Sequence, residues 1–477
     1  MQYETVIGLE VHLQLSTDSK AFCGCSTKFG ALPNTQACPV CLGFPGSLPV
    51  LNKKAFDSAV KVAIALSCRI NSFTKFDRKN YYYPDLPKNY QISQYDKPLS
   101  QNGRLDIQLG GNNKRIGIRR VHLEEDAGKL MHDPKGKCSM VDFNRSGVPL
   151  LEIVSEPDLN SPQEAYAYLV TLKLILEYLN VSTCSMEEGS LRCDANLSLR
   201  PKGQKELGTK TEVKNMNTFK GVRSALEFEV KRQMELFKEG KAISQETRLW
   251  DPDKEITVAM RTKEEAQDYR YFPEPDLLPC VISEKDVENI RKTLPELPEE
   301  RAKRFSKDYS ITAYDATLLT SQRQMADYFE QCAKLYKNPK AIANWLMGDI
   351  SAYLNEHNLE IAELQLKPAG LIELLKLMDA GTISSKMSKD ILAEMLKTHK
   401  GASEIVKEKS LVQIIDEALI GKLVGEVLAE NPNPVTDYKS GKAQALTFLV
   451  GKLMEKTKGK VNPKLANEIL RKKIGAT

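Results

Sequence analysis

Four short segments in the first 200 residues each place acids on a single face. In Thr5–Leu15, Ile7, Leu9, Val11, Leu13 and Leu15 fall on one side and Glu10, His12 and Gln14 on the other, the two-residue period of a half-buried strand. Val121–Asp126, Leu150–Glu156 and Leu191–Ser198 read the same way. Sharing one sheet, these strands would gather Glu10, His12, Glu124 or Glu125, Glu152 and Asp194 on its polar face. Carboxylates so close together cannot all stay ionised without a cation. Oxygen-rich surroundings with one imidazole suit Mg²⁺ or Mn²⁺, ions that work with phosphates. The chemistry expected is metal-assisted and acts on phosphate. A single alternating segment describes the solvated face of any antiparallel sheet. Four acid-rich, lysine-poor segments are harder to explain that way.

Cys23, Cys25, Cys38 and Cys41 form a second set, C-x-C and C-x2-C with twelve residues between the pairs. Two close thiol pairs on glycine- and proline-containing turns can bring four thiolates round Zn²⁺ in a tetrahedron. With all four positions filled by protein, such a zinc would brace a loop and do no chemistry. The other six cysteines (68, 138, 184, 193, 280 and 332) show no pairing logic, and the N-terminus enters a strand at once without a leader pattern. A reducing compartment is therefore expected: the bacterial cytoplasm, or an organelle matrix after leader removal.

The elements that must position these residues change character along the chain. Through about residue 290 strands alternate with a few helices that have clear start signals. Ser161-Pro-Gln-Glu164 is a capping box opening a helix to about Leu179, and Asn52 caps another to Leu66. A third helix is expected from Val222 to Phe237, ending at Gly240, and irregular chain from Thr257 to Pro279. Strand signals then nearly vanish. The expected class is α+β: a catalytic cradle of mixed or antiparallel sheet over 1–294 with the thiol loop, an all-α domain over 295–405, and a small helical tail over 406–477 in which Asn431–Pro434 is a turn. At 477 residues more than one core is required.

Composition excludes little except a membrane span, since no apolar run approaches the necessary length. Charge is more telling. From Lys439 onward ten Lys/Arg face two Glu, a local +8 against +5 for the whole chain, so the remainder sums to −3. A basic tail on an acidic body points to a polyanion held at one end, nucleic acid first.

No G-x4-G-K-[ST] or G-x-G-x-x-G motif is present, so a nucleotide would have to be held by the acid-bound metal and by basic residues. Candidates are Lys210, Lys214, Asn215 and Asn217 in one polar segment, and Arg261, Lys263 and Arg270 in another. Such groups neutralise a transferring phosphoryl group. Hydrolase signatures of the G-x-S-x-G type are missing too. Tyr81–Gln94 is an aromatic, proline-bound loop whose adjacent tyrosines cannot all enter one core; some could stack on a base or sugar.

The combination resembles the B subunits of the bacterial and organellar aspartyl/glutamyl-tRNA amidotransferases over essentially the full length. The resemblance is carried by Gly8–His12, by Cys23–Cys41 running into Gly43–Asn52, and by Tyr81–Gln94, His122–Gly128, Asp142–Leu150, Glu152–Asp158 and Asp268–Asp276. It implies a glutamine-synthetase-like cradle using ATP and Mg²⁺ to phosphorylate the side-chain carboxylate of Glu-tRNA(Gln) or Asp-tRNA(Asn). Ammonia from an amidase partner, the A subunit of a heterotrimer, then displaces the phosphate, and a small C subunit wraps the other two. On this resemblance Glu10, His12, Glu124 or Glu125, Glu152 and Asp194 hold metal and nucleotide, and the tail contacts tRNA. Two rivals remain at this stage: a zinc-braced RNA-binding scaffold without catalysis, and a ligase acting on a free small molecule.

Overall fold

Alternation along Tyr3–Gln14 (β1) builds the centre of the first half of the molecule: Leu9, Val11 and Leu13 are buried while Glu10, His12 and Gln14 stay partly open. The computed structural model describes residues 2–133, 136, 138–262, 268–409, 416–457, 460–461 and 463–475. They fall into two compact units, divided between Leu297 and Pro298.

The first unit is organised by a nine-stranded sheet. Its further strands are β2 (Arg69–Ile70), β3 (Ser100–Leu109), β4 (Asn112–Glu125), β5 (Pro149–Ser155), β6 (Leu191–Pro201), β7 (Thr211–Lys214), β8 (Glu246–Asp251) and β9 (Ile256–Thr262), in the order β9-β8-β7-β6-β1-β5-β4-β3-β2. All neighbours are antiparallel except β7 and β8. That parallel pair is joined through the helix Phe219–Lys238, because parallel neighbours need a crossover. The four acid-bearing segments are the adjacent central strands β6, β1, β5 and β4.

Three helices supply the apolar cover: α1 (Lys53–Ala65), α2 (Pro162–Leu179) and α3 (Phe219–Lys238). Their Val60, Tyr168, Leu172, Val222 and Leu226 share one core with Leu9, Val11, Leu123, Leu151, Ile153 and Leu197 of the strands. Asn52 caps α1 by accepting from the Ala55 amide at 3.2 Å. Ser161 likewise accepts from the Glu164 amide, but the expected box is not closed: the Glu164 carboxylate accepts from the Asn160 amide at 2.6 Å and pairs with Lys114. The third helix begins nearly a turn earlier than expected, because Thr218 provides the cap. Thr257–Pro279 is not irregular throughout. Ile256–Thr262 is β9, which the turn after Asp251 folds back onto β8.

Beside the main sheet lies a small one, Phe272–Pro273, Asp77–Asn80 and Tyr90–Ser93, and two short two-stranded ladders. The second unit is helical among its described residues, with one apolar cluster from Phe305 to Val406 and a separate one from Ile420 to Ile474. Asn431–Pro434 is not simply a turn: Pro432 opens the helix Pro432–Lys439 at its first position, where a missing N–H costs nothing. The architecture is α+β, sheet first and helices after.

Candidate active site and thiol cluster

Register decides which side chains meet. His12 lies opposite Glu152 on one side and Arg192 on the other, and Glu152 lies opposite His122. This makes a row Arg192–His12–Glu152–His122 across four strands. Glu10 lies opposite Asp194 in the neighbouring row, and Glu124 follows His122 by two residues on the same face. His12 Nε2 stands 3.6 Å from Glu152 Oε2 and 3.8 Å from Glu124 Oε1. His122 Nε2 stands 3.2 Å from Glu152 Oε2 and 3.7 Å from Glu124 Oε2.

Burial works against charge here, and the pairs resist it. Desolvation alone would lower the His12 pKa, but the Glu152 hydrogen bond and charge, with Glu124 and Asp194 behind, carry it up to about 9. His122 is raised against the same desolvation by Glu152 and Glu124. Burial would raise Glu152, yet the two imidazoles hold it well below the ordinary value. Glu10 is raised by burial first and then by Glu152, Asp194 and Glu212, although Asn196 donates to it at 3.0 Å. An acid lifted by its acidic neighbours marks a place where a cation would be welcome. Ligand atoms of His12, Glu124 and Glu152 all lie within 4.8 Å of one another. This set of two carboxylates and one imidazole fits Mg²⁺ or Mn²⁺.

The remaining expected residues divide. Asp194 flanks the cluster through Glu10, and its carboxylate pairs with Lys214, which also reaches Glu212 at 3.2 Å. Glu125 is on the other side of the pleat. It pairs with Lys88 and accepts from the Ile92 amide at 2.9 Å. There it lines a cavity of about 260 Å³ shared with Cys23, Cys41, Arg78 and Asp276. Asn215 turns in the left-handed region and donates to the Trp250 carbonyl at 3.1 Å. Lys210, Asn217 and Arg270 are exposed. Arg261 lies on β9 opposite Thr247, but its side chain and all of Lys263 lie outside the described residues. The glycine opening the Gly208–Asn217 segment has a packing reason: a Cβ there would sit 2.1 Å from the Leu199 carbonyl oxygen.

His122 is a site residue that the sequence reading does not single out. The signal for it is nevertheless present. Val121 and Leu123 must enter the core, which turns His122 and Glu124 together, and not Glu125, to the polar face.

The four thiols converge. Their sulfurs lie within 4.8 Å of one another, and Cys38 and Cys41 are 3.9 Å apart, near the ~3.8 Å edge of a tetrahedron with Zn–S bonds of ~2.3 Å. Beside them is Lys20, fully buried. Its ammonium donates to the Gln36 carbonyl at 2.6 Å, the Phe143 carbonyl at 3.2 Å and Cys41 Sγ at 3.6 Å, with no carboxylate in ion-pair reach among the described residues. A buried ammonium needs an anion, and the Cys41 sulfur is the ionisable group within its reach. The Cys41 thiol is accordingly drawn down to about 4, by the Cys23 hydrogen bond first, with Cys38 and Lys20 adding to it. The cluster can hold a metal.

The antiparallel-rich sheet of the first unit thus carries a carboxylate–imidazole cluster on its open face and, in a separate loop, a four-thiol cluster, each able to hold a metal ion. The family follows from the chain itself. Residues 5–288 match the GatB/GatE catalytic domain and 327–474 the GatB domain. Curated relatives, each named as the B subunit of an aspartyl/glutamyl-tRNA(Asn/Gln) amidotransferase, align over almost every residue. That of Carboxydothermus hydrogenoformans is 56% identical over 476 residues, covering 99% of each chain. That of Caldanaerobacter subterraneus subsp. tengcongensis is 58% identical over 474 residues, covering 99% of this chain and 100% of the relative. The Thermodesulfovibrio yellowstonii relative is 54% identical over 470 residues, covering 98% and 99%. The chain belongs to this B-subunit family and is a component of a tRNA-dependent amidotransferase, a ligase. No helix among the described residues is long and apolar enough to cross a membrane.

Proposed function

We propose that this chain activates the side-chain carboxylate of Glu-tRNA(Gln), Asp-tRNA(Asn) or both by phosphorylation from ATP. Ammonia delivered by an amidase partner, in a heterotrimer closed by a small third protein, then replaces the phosphate to give the amide. The observation that carries this reading is the meeting of His12, Glu124 and Glu152 on the central strands of the sheet. A carboxylate is a poor acyl donor, and phosphorylation turns its oxygen into a leaving group. A divalent cation held by these three residues would screen the repulsion between substrate carboxylate and ATP. Glu10, steadied by Asn196, and Asp194, tied to Lys214, extend the acid face toward the nucleotide. In this reading Glu125 stands apart from the metal, held by Lys88. The thiols hold structural zinc, countered by Lys20. The 406–477 tail, basic from Lys439 on, holds the tRNA backbone, largely without reading sequence.

The test uses the chain assembled with its amidase and small partners, misacylated tRNA, Mg²⁺ and ammonium, which bypasses glutamine hydrolysis. Amide product should require ATP, and His12→Ala should lower its rate at least 100-fold while tRNA binding persists. Product formed without ATP, or a His12→Ala rate equal to wild type, rejects the reading.

A further inference from the structure

Several cations of the first unit are already committed. Lys214 is paired with Asp194 and Glu212, Arg192 with Asp126, Lys88 with Glu125, and Arg78 with Glu274 and Asp276. The side chains of two others at the acid site have no ion pair or hydrogen bond among the described residues. Arg120 precedes His122 and Glu124 by even steps on β4, so it shares their face, and it lies opposite Val154, two residues beyond Glu152. Lys79 comes from the small sheet. It lies directly opposite Gln91, whose side-chain amide donates to the Glu125 carbonyl at 2.8 Å, and the hydroxyl of Ser93, two residues on, donates to the Glu124 carboxylate at 3.2 Å. Cross-strand partners share a face, which sets Lys79 on the side of the acids. Its ammonium lies 5.0 Å from the centre of the Tyr269 ring and 5.7 Å from that of Tyr81.

Resting on the phosphoryl-transfer reading above, we propose that Lys79 and Arg120 are the phosphate clamp of this site, gripping the phosphoryl group as it passes from ATP to the substrate carboxylate. In that step the bond from the γ-phosphorus to the bridging oxygen breaks, ADP keeps the electron pair, and a carboxylate oxygen bonds to phosphorus. In the next, the ammonia nitrogen bonds to the acyl carbon, the bond to the phosphate oxygen breaks, inorganic phosphate leaves with the pair, and nitrogen gives up a proton to solvent. In both steps negative charge gathers on the non-bridging phosphate oxygens, above a floor already carrying Glu10, Glu124, Glu152 and Asp194. Fixed cations aimed at that charge stabilise it most in a site shielded from water.

Lys79→Met and Arg120→Met, in the assembled complex with ammonium as nitrogen donor, should each lower the rate of ATP-dependent amidation at least 100-fold. Lys79→Arg and Arg120→Lys should recover part of it. Mn²⁺ affinity at the acid site, followed by the paramagnetic resonance of free Mn²⁺, should change less than threefold in all four, and melting temperatures by only a few degrees. Rates within threefold of wild type in the Met variants overturn the clamp alone. Mn²⁺ affinity lost together with the rate also overturns it, because the two residues would then only support the acid face. A wild-type complex that makes no amide from ATP and ammonium overturns the clamp and the underlying reading together.

Discussion

Asp126 shows how a single buried charge holds the floor of the site. It is almost fully enclosed, accepts from Gln14 Nε2 at 2.8 Å and from Arg192 at 2.8 Å, and has Arg145 within 3.7 Å. Burial would raise its pKa, but the charges of Arg192 and Arg145 and the Gln14 hydrogen bond hold it below the ordinary value. A depressed folded pKa means stability that is fully present above the unfolded value of about 4 and lost as pH falls through the folded one. Asp126→Asn should therefore cost about 3 kcal/mol at pH 7, as breaking a buried pair does. In urea unfolding that deficit should shrink as pH drops below about 4. An equal deficit at pH 7 and pH 3 would mean the carboxylate charge is not what Arg192 and Gln14 require. Arg192, its partner, stands in the same row as His12.

At the scale of elements, the loop between β1 and α1 contrasts with the sheet. Over 17–50 it has almost no regular ladder, so its order rests on the thiols, on Lys20, and on ties such as Asn34 to Asp142 and Asn144 to the Leu32 carbonyl. With zinc at the thiols, binding energy and local folding energy are one quantity. Chelation, or Cys38→Ser, should raise amide hydrogen exchange across 20–50 at least tenfold and leave the helices of 298–409 unchanged. Exchange that ignores chelator would remove zinc from the account of this loop. Glu125 and Lys88 share a cavity with Cys23 and Cys41, so loosening there reaches the back of β4 at Glu125.

For the whole molecule, the apolar clusters are separate: one for the sheet and its three helices, two in the helical unit. Compact units with their own cores can fold on their own. A chain ending at Leu297 should melt cooperatively and bind Mn²⁺ within threefold of the full chain. It should also lose most tRNA affinity, and with it the steep salt dependence expected of the ten basic residues from Lys439 onward, since counterion release scales with the phosphates neutralised. Titration of tRNA into both chains at two salt concentrations checks this, and an unchanged affinity would move the tRNA contact to the sheet unit.

The alternation that marks β1, β4, β5 and β6 is local, set by which side chains must leave water, and so are the caps at Asn52 and Ser161 and the thiol spacing. These can be read from the chain alone, as can the family. Pairing is not local. That the four segments are neighbours, that His12 meets Glu152 while Glu125 turns to Lys88, and that Lys214 is spent on Asp194 all depend on register between strands far apart in the chain, such as those that set Tyr3 opposite Pro201. β9 is hidden in the sequence because proline and arginine around it mask a hairpin whose partner strand gives it order. Lys79 and Arg120 carry no motif at all. Only the folded sheet shows that, among the described residues, no carboxylate comes within ion-pair reach of either, because a cation's partner is set by space and not by sequence.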